Sequence, residues 1–382
     1  MAVKAGAVTG GDSLAAHPQG EASYRMLRPL APLLGWLLVL YACGGPPGPS
    51  PSPMPLLTPQ RSGTAALLQA VSVVDERTVW ASGHDGTWVV SADGGVTWTA
   101  GTVAGADTLQ FRDLHATGRD TAWLMSAGPG SASRIYRTSD GGRSWTTQQV
   151  NHHPEGFYDC FAFWRPTRAV VFSDQVGGRT LLLETRDGEI WSEVPPSRVP
   201  PPDAKEAGFA ASGSCVTTHG DQLGWIATGA GRVGRVLRTA DGGETWAAAA
   251  TPVAAGPSAG LTAVAFRDAE HGVALGGDVA QPGGTGDNVA VTDDGGRTWR
   301  KAARPPFSGA VFGAVYATGV DPATLVAVGP GGLALSRDDA RSWVLADTLP
   351  YWSVGFGAGS AGWAVGPAGR ITRIELSPSP SR

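Results

Sequence analysis

Six tryptophans constrain this chain more than any other feature, because each closes a copy of the same short segment. The copies are Ser91-Ala-Asp93-Gly-Gly-Val-Thr-Trp98, Thr138-Ser-Asp140-Gly-Gly-Arg-Ser-Trp145, Thr185-Arg-Asp187-Gly-Glu-Ile-Trp191, Thr239-Ala-Asp241-Gly-Gly-Glu-Thr-Trp246, Thr292-Asp-Asp294-Gly-Gly-Arg-Thr-Trp299 and Ser336-Arg-Asp338-Asp-Ala-Arg-Ser-Trp343. The third is one residue short, and the sixth has Ala340 in place of the second glycine. The tryptophans are 47, 46, 55, 53 and 44 residues apart, the length of a four-stranded propeller blade. The pattern Ser/Thr-x-Asp-x-Gly-x-x-Trp is an Asp-box, or BNR repeat. Its chemistry is local: the carboxylate accepts backbone N–H groups inside a tight turn, glycine supplies positive φ, and the indole folds over the hairpin. These aspartates are therefore read as structural.

Ahead of each Asp-box lies a pair of β-rich runs around a Gly-rich turn, clearest in Val79-Trp-Ala-Ser-Gly-His-Asp-Gly-Thr-Trp-Val-Val90, and ahead of each pair another apolar run such as Leu68–Val74 or Tyr158–Trp164. Each repeat thus reads as strands A, B and C, the Asp-box turn, then strand D. A seventh A–B–C set, ending at Gly362–Ile374, has no Asp-box after it. The fold class expected is all-β, a seven-bladed propeller of four-stranded antiparallel blades. A stretch within Met54–Thr64 is expected to supply the missing last strand, which removes the exposed edge of an open ring. A six-bladed ring with a C-terminal appendage is the alternative.

The remaining composition narrows the function. With 42% hydrophobic residues the chain has material for a core, although it carries 55 Gly and 29 Pro. A net charge of −4 lacks the basic footprint of a nucleic-acid binder, so no nucleic-acid partner is expected. Three cysteines exclude a disulfide-dense scaffold or a multi-cysteine zinc cluster. No Gly-x-Gly-x-x-Gly stands between a strand and a helix, so a dinucleotide has no site, and no cofactor or metal is expected.

The N-terminus reads as an export signal. Arg28 precedes an apolar run from Leu30 to Ala42, too short to span a bilayer as a permanent helix. Leu40-Tyr41-Ala42-Cys43 resembles a bacterial lipobox, although Tyr41 departs from its pattern. The resemblance implies lipidation at Cys43; ordinary cleavage near Ala42 and an uncleaved anchor are the alternatives. The expected organisation is a leader over 1–43, a Pro/Gly/Ser-rich tether over 44–60, the propeller over 61–376 and a tail over 377–382. Met26 fits a signal-peptide start better than Met1.

The recurring phrase seen in Glu270-His-Gly-Val-Ala-Leu-Gly276 with Asp294-Gly-Gly-Arg-Thr-Trp299, and again in Gly362-Trp-Ala-Val-Gly366, resembles the photosystem II stability/assembly factor family and its bacterial lipoprotein relatives. That resemblance covers roughly residues 60–376. It implies an exported, membrane-tethered scaffold on the periplasmic or cell-surface side that binds a protein partner as a monomer, without catalysis.

Strand alternation puts A–B loops and Asp-boxes on one face and the B–C and D–A connections on the other, where propellers recognise partners. That second face offers Asp107, His152, His153, Glu155, Tyr158 and Asp159 from D–A connections. B–C turns add His84, Asp85, Asp174, Arg179, Arg232, Asp278, Asp287 and Arg370. A shared pocket of Tyr158, Asp159, Asp174, Arg179 and Asp278 is expected, with Arg232 as a further contact; the plainer reading is that the acids bond turn backbone. A glycan-hydrolysing alternative would draw two carboxylates from Asp159, Asp174 and Asp278. A sialidase-type site is disfavoured, because no Phe-Arg-Ile-Pro-like motif precedes Ser91; Phe111-Arg112-Asp113 is expected at the far end of strand A, toward the Asp-box face. His152 and His153 beside Glu155 read as solvated loop and not as metal ligands. Cys160 and Cys215, in the A strands of neighbouring blades, either pair in an oxidising compartment or stay as buried thiols.

Overall fold

The structure, a computed structural model, describes residues 54–377. Its strands form seven four-stranded antiparallel sheets, and the only helical pieces among the described residues are the 3-10 turns Gly130–Ala132 and Pro196–Arg198. Blade 1 runs Leu68–Val73, Val79–Gly83, Thr87–Ser91 and Thr99–Thr102 as strands A to D. The A strands of blades 2 to 7 are Phe111–Ala116, Tyr158–Arg165, Val216–His219, Ala259–Phe266, Gly313–Ala317 and Ser353–Phe356. Cys215 stands one residue ahead of its A strand.

Blade 7 is closed from the other end of the chain. Leu56–Arg61 pairs antiparallel with Arg370–Glu375, Leu56 opposite Glu375 and Arg61 opposite Arg370. The last five positions of the segment read as tether, 56–60, thus belong to the ring. Of the tail over 377–382, Ser377 lends its carbonyl to Arg337, and the rest lies outside the described residues, as does the leader with Cys43.

Strands B and C are buried on both faces because neighbouring blades sandwich them, so they read as continuous apolar runs. Strand B contributes the large wedges Trp80, Trp123, Trp225 and Trp363, all fully buried. Each indole N–H finds an acceptor: Trp80 donates to Gly118 O at 3.0 Å, Trp123 to Gln148 at 3.1 Å, Trp225 to Gly295 O at 2.9 Å and Trp363 to Gln60 at 3.0 Å. An apolar body with a satisfied polar edge suits the gap between two twisted sheets.

The six aspartate turns repeat one hydrogen-bond scheme. In the first, Ser91 Oγ donates to Asp93 Oδ1 at 2.8 Å and accepts Gly95 N–H at 2.8 Å, while Thr97 gives Asp93 both its N–H and its hydroxyl. Asp140, Asp241, Asp294 and Asp338 follow suit. In the shortened copy Asp187 takes the N–H groups of Glu189 and Ile190 instead. The hydroxyl and then the N–H of Thr97 hold Asp93 at about 2, and Ser144 does the same for Asp140. The sixth turn has Asp339 and Ala340 at φ 55° and 59°, where the other full-length copies have two glycines. Left-handed backbone costs a side-chain-bearing residue about 1–2 kcal/mol. Asp339 offsets it by clamping blade 5 to blade 6: it accepts Arg267 Nε at 3.0 Å and Tyr316 OH at 3.0 Å.

Candidate binding site

The opposite face departs from this regularity at the start of strand A. In blades 1, 2, 3 and 5 the A–B register slips by one residue near the start of strand A, which makes Gln69, Arg112, Asp159 and Thr262 the extra residues of four equivalent bulges. A bulge re-aims its side chain, and all four are polar. Opposite each slip stands a small residue of strand B: Gly83, Ser126, Ser173 or Gly276. At Gly83 a Cβ would overlap the Leu67 carbonyl, and at Gly276 the Gly260 carbonyl, so in blades 1 and 5 the backbone approaches closely enough to require glycine.

Blade 4 lacks the bulge and has something else. The connection into its A strand reaches across the ring axis: Arg112 of blade 2 donates to Ala210 O at 3.2 Å, Ser212 Oγ donates to Phe312 O ahead of blade 6 at 2.6 Å, and Ser353 Oγ of blade 7 donates to Ser212 O at 3.1 Å. Residues 210–212 thereby floor the mouth. Above them is a cup of about 290 Å³, walled by the half-buried Leu67, Phe209, Val279, Phe312 and Trp352. Phe312 and Trp352 meet edge to face at 5.1 Å. The polar lining is Gln69, His84 and Arg112. Gln69 Oε1 and His84 Nε2 are both buried without a hydrogen-bond partner. Burial, then the charge of Arg112, lowers His84, so its ring is neutral at physiological pH.

Behind Arg112 lies a pair of carboxyls. Asp159 is 1% exposed and in hydrogen-bond contact with Asp174, and its Oδ2 has no further partner. Burial raises Asp159 far above the carboxylate range, the like charge of Asp174 raises it further, and Arg112 opposes both. Asp174 is raised by burial, while the Gly208 N–H, at 2.9 Å, and Asp159 pull it down. Two carboxyls so close disfavour ionising together. Neither lines the cup, and Gly208 packs so closely on Asp159 that a Cβ there would overlap the carboxyl. Next to this pair, Cys160 and Cys215 form a disulfide with Cα atoms 5.9 Å apart, tying the blade 3 A strand to the end of the connection that floors the mouth.

The expected pocket of Tyr158, Asp159, Asp174, Arg179 and Asp278 is therefore not one pocket. Only Asp159 and Asp174 meet. Alternation turns Tyr158 into the core beside Trp123 and Met125, and Arg179 points outward to pair with Glu193 at 2.8 Å. Asp278 holds its own loop through Ser258, at 2.8 Å, and the N–H of Ala280. Arg232 pairs with Asp203 on the exposed rim. Of the other candidates, His153 contacts Glu193, Glu155 accepts Gly177 N–H, Asp287 pairs with Lys301, and Arg370 donates to Pro350 O. Among the described residues no three His, Cys, Asp or Glu side chains gather as a metal site requires.

Phe111-Arg112-Asp113 is corrected as well. It opens strand A instead of ending it, so Arg112 belongs to the mouth. The missed residues Gln69 and Arg112 carry a readable signal, the in-phase run of large apolar, polar, then two further residues in Leu68-Gln69-Ala70-Val71, Phe111-Arg112-Asp113-Leu114, Tyr158-Asp159-Cys160-Phe161 and Leu261-Thr262-Ala263-Val264. The floor over 210–212 leaves no such mark.

No family model matches this chain, and no curated protein does. Solved structures share the fold. YCF48 bound to D1 peptide is 14% identical, with 86% of this chain and 97% of that chain covered at a TM-score of 0.59. YCF48 from Cyanidioschyzon merolae is 16% identical over 84% and 98%, also at 0.59. A catalytically inactive virginiamycin B lyase from Staphylococcus aureus with quinupristin is 12% identical over 85% and 100%, again at 0.59. At these identities the likeness establishes the fold alone, which the chain shares with YCF48 and with a lyase alike.

Proposed function

We propose that this protein is a non-catalytic binding scaffold whose B–C and D–A face docks a segment of a protein partner, and that it is exported and tethered to a membrane through Cys43. The observation that carries the binding role is the cup itself: half-buried aromatic walls around a closed floor, at the centre of the ring. Concave sites at or below about 300 Å³ suit a side chain or small group, and anchor residues of protein interfaces seat in such pockets. YCF48, which shares the architecture, has been solved bound to a D1 peptide. Export and tethering rest on the leader sequence and the lipobox resemblance.

The raised carboxyl pair bears on hydrolysis and argues against it here. Glycosidases hold their two carboxyls about 5–5.5 Å apart, or about 6.5–9.5 Å, with both facing the substrate. Asp159 and Asp174 are in hydrogen-bond contact, and Asp159 is sealed beneath the wall. The deciding experiment is affinity capture from the native cells with the unaltered protein and with a Phe312→Ala, Trp352→Ala double variant. A partner recovered reproducibly by the first and lost by the second is expected. No partner, together with turnover of a glycan panel, overturns the reading. Globomycin-sensitive processing, abolished by Cys43→Ala, tests the anchor.

A further inference from the structure

Deepening the binding role just proposed, and resting on it, we infer that the cup is a receptor for one tyrosine side chain of the partner, its ring held by Phe209, Phe312 and Trp352 and its hydroxyl by Gln69 and His84. Gln69 is the key residue. It is the extra residue of the blade 1 bulge, only 3% exposed, and it lines the cup with its Oε1 unsatisfied. A buried acceptor without a donor is costly, whereas one filled by a ligand O–H rewards that ligand over its deoxy analogue. His84 Nε2, buried and unpaired in the same cup, is the second anchor. A phenol hydroxyl both donates and accepts, so it satisfies Gln69 Oε1 as donor and an Nε2–H tautomer of His84 as acceptor. Phenylalanine leaves both unmade.

Arg112 favours this occupant over the two charged ones. A cationic side chain meets a guanidinium at the wall. A carboxylate would seek the paired N–H edge, but Arg112 Nε and one terminal nitrogen both donate to Gln110 Oε1, and the other terminal nitrogen donates to Ala210 O. The Nε edge of the guanidinium, one of its two paired-donor edges for a carboxylate, is thus already engaged, and a third N–H is taken by the floor. What the guanidinium offers instead is a planar cation beside an aromatic ring.

The test uses three five-residue peptides with both ends capped, Gly-Gly-X-Gly-Gly with X as Tyr, Phe or Glu, and a fourth with Tyr and a free C-terminal carboxylate. Binding to the unaltered protein is read by saturation-transfer NMR with competition. The capped Tyr peptide is expected to bind at least tenfold more tightly than Phe, with Glu weaker still and no gain from the free carboxylate. Gln69→Leu is expected to bring the Tyr-to-Phe ratio below about twofold while Phe binding persists, and its far-UV spectrum and melting curve verify that it is folded. Equal binding of Tyr and Phe, binding of neither, or a preference set by the free carboxylate overturns the inference, and these arms need no variant. The two readings fail differently: recovery of no partner overturns the scaffold, whereas a captured partner that depends on Trp352 but is indifferent to Gln69→Leu leaves the scaffold standing without the tyrosine pocket.

Discussion

The two faces of the ring are built from the same repeat and behave oppositely. On the Asp-turn face one hydrogen-bond scheme recurs in five turns and in trimmed form in a sixth, and its carboxylates are held low by donors from their own turn. On the mouth face four of the blades share only the opportunity, a bulge near the start of strand A, and each of the four fills it differently. Gln69 is left unsatisfied, Arg112 spans to the floor, Asp159 is buried against a second acid, and Thr262 turns aside to donate to Val311 O. Closed local chemistry can be copied; a surface that must recognise something cannot be seven-fold symmetric.

That contrast has a mechanical side, and it gives the largest expected effect. The Asp-turn face is held by many equivalent small bonds, whereas one covalent link, Cys160–Cys215, secures the floor of the mouth. It encloses a separation of 55 residues, for which loop entropy suggests about 4 kcal/mol. Replacing both cysteines by alanine should lower the urea midpoint accordingly and deprotect the amides of residues 207–215 in hydrogen exchange before those of the Asp-turns. Uniform deprotection around the ring would show that the faces are not separately secured.

The pH dependence separates the faces by sign. Asp93, Asp140 and Asp294 are held at about 2, so the stability they give is present above their unfolded value near 3.8 and drains as pH falls from about 4 toward 2. Asp159 is raised, so its contribution is complete below 3.8 and declines as pH climbs through its folded value. Asp159→Asn should flatten the decline in urea-melt stability that sets in as pH rises above about 4, and leave the loss below that pH unchanged. An acid limb that moves with this variant would mean that the two carboxylate sets are coupled across the ring.

The smallest effect sharpens the comparison at a single turn. Ala368, in the exposed B–C turn of blade 7, sits at φ 56° with no partner across a blade comparable to that of Asp339. Ala368→Gly should stabilise by about 0.5–1 kcal/mol by relieving the left-handed backbone, whereas Asp339→Gly should destabilise because the Arg267–Tyr316 clamp goes with it. Thermal melts of the two variants decide the matter.

Legibility in the sequence follows the same divide. The blade count, strand order and terminal closure were all readable, because they rest on a motif whose atoms satisfy one another within eight residues. The mouth was read less well. Tyr158, Arg179 and Asp278 share a face by topology, yet alternation sends the first into the core, an outer-strand acid captures the second, and a turn absorbs the third. Arg112 was assigned to the wrong end of its strand because nothing in Phe111-Arg112-Asp113 by itself marks where the strand opens. The floor over 210–212 was invisible, since Ala-Ala-Ser reads as linker until its contacts to blades 2, 6 and 7 are seen.

The seam between Leu56–Arg61 and Arg370–Glu375 fixes an order of events during biosynthesis. Among the described strands the earliest in the chain is the last to find its neighbour, since more than three hundred residues separate Leu56 from Glu375. Six blades can stack as they emerge, each on the one before, but the circle stays open until Arg370–Glu375 has been made, and joining strands so distant along the chain is slow. Through that interval Leu56–Arg61 has no strand to pair with and the faces of the end blades lie uncovered, the surfaces through which unfinished chains would find one another.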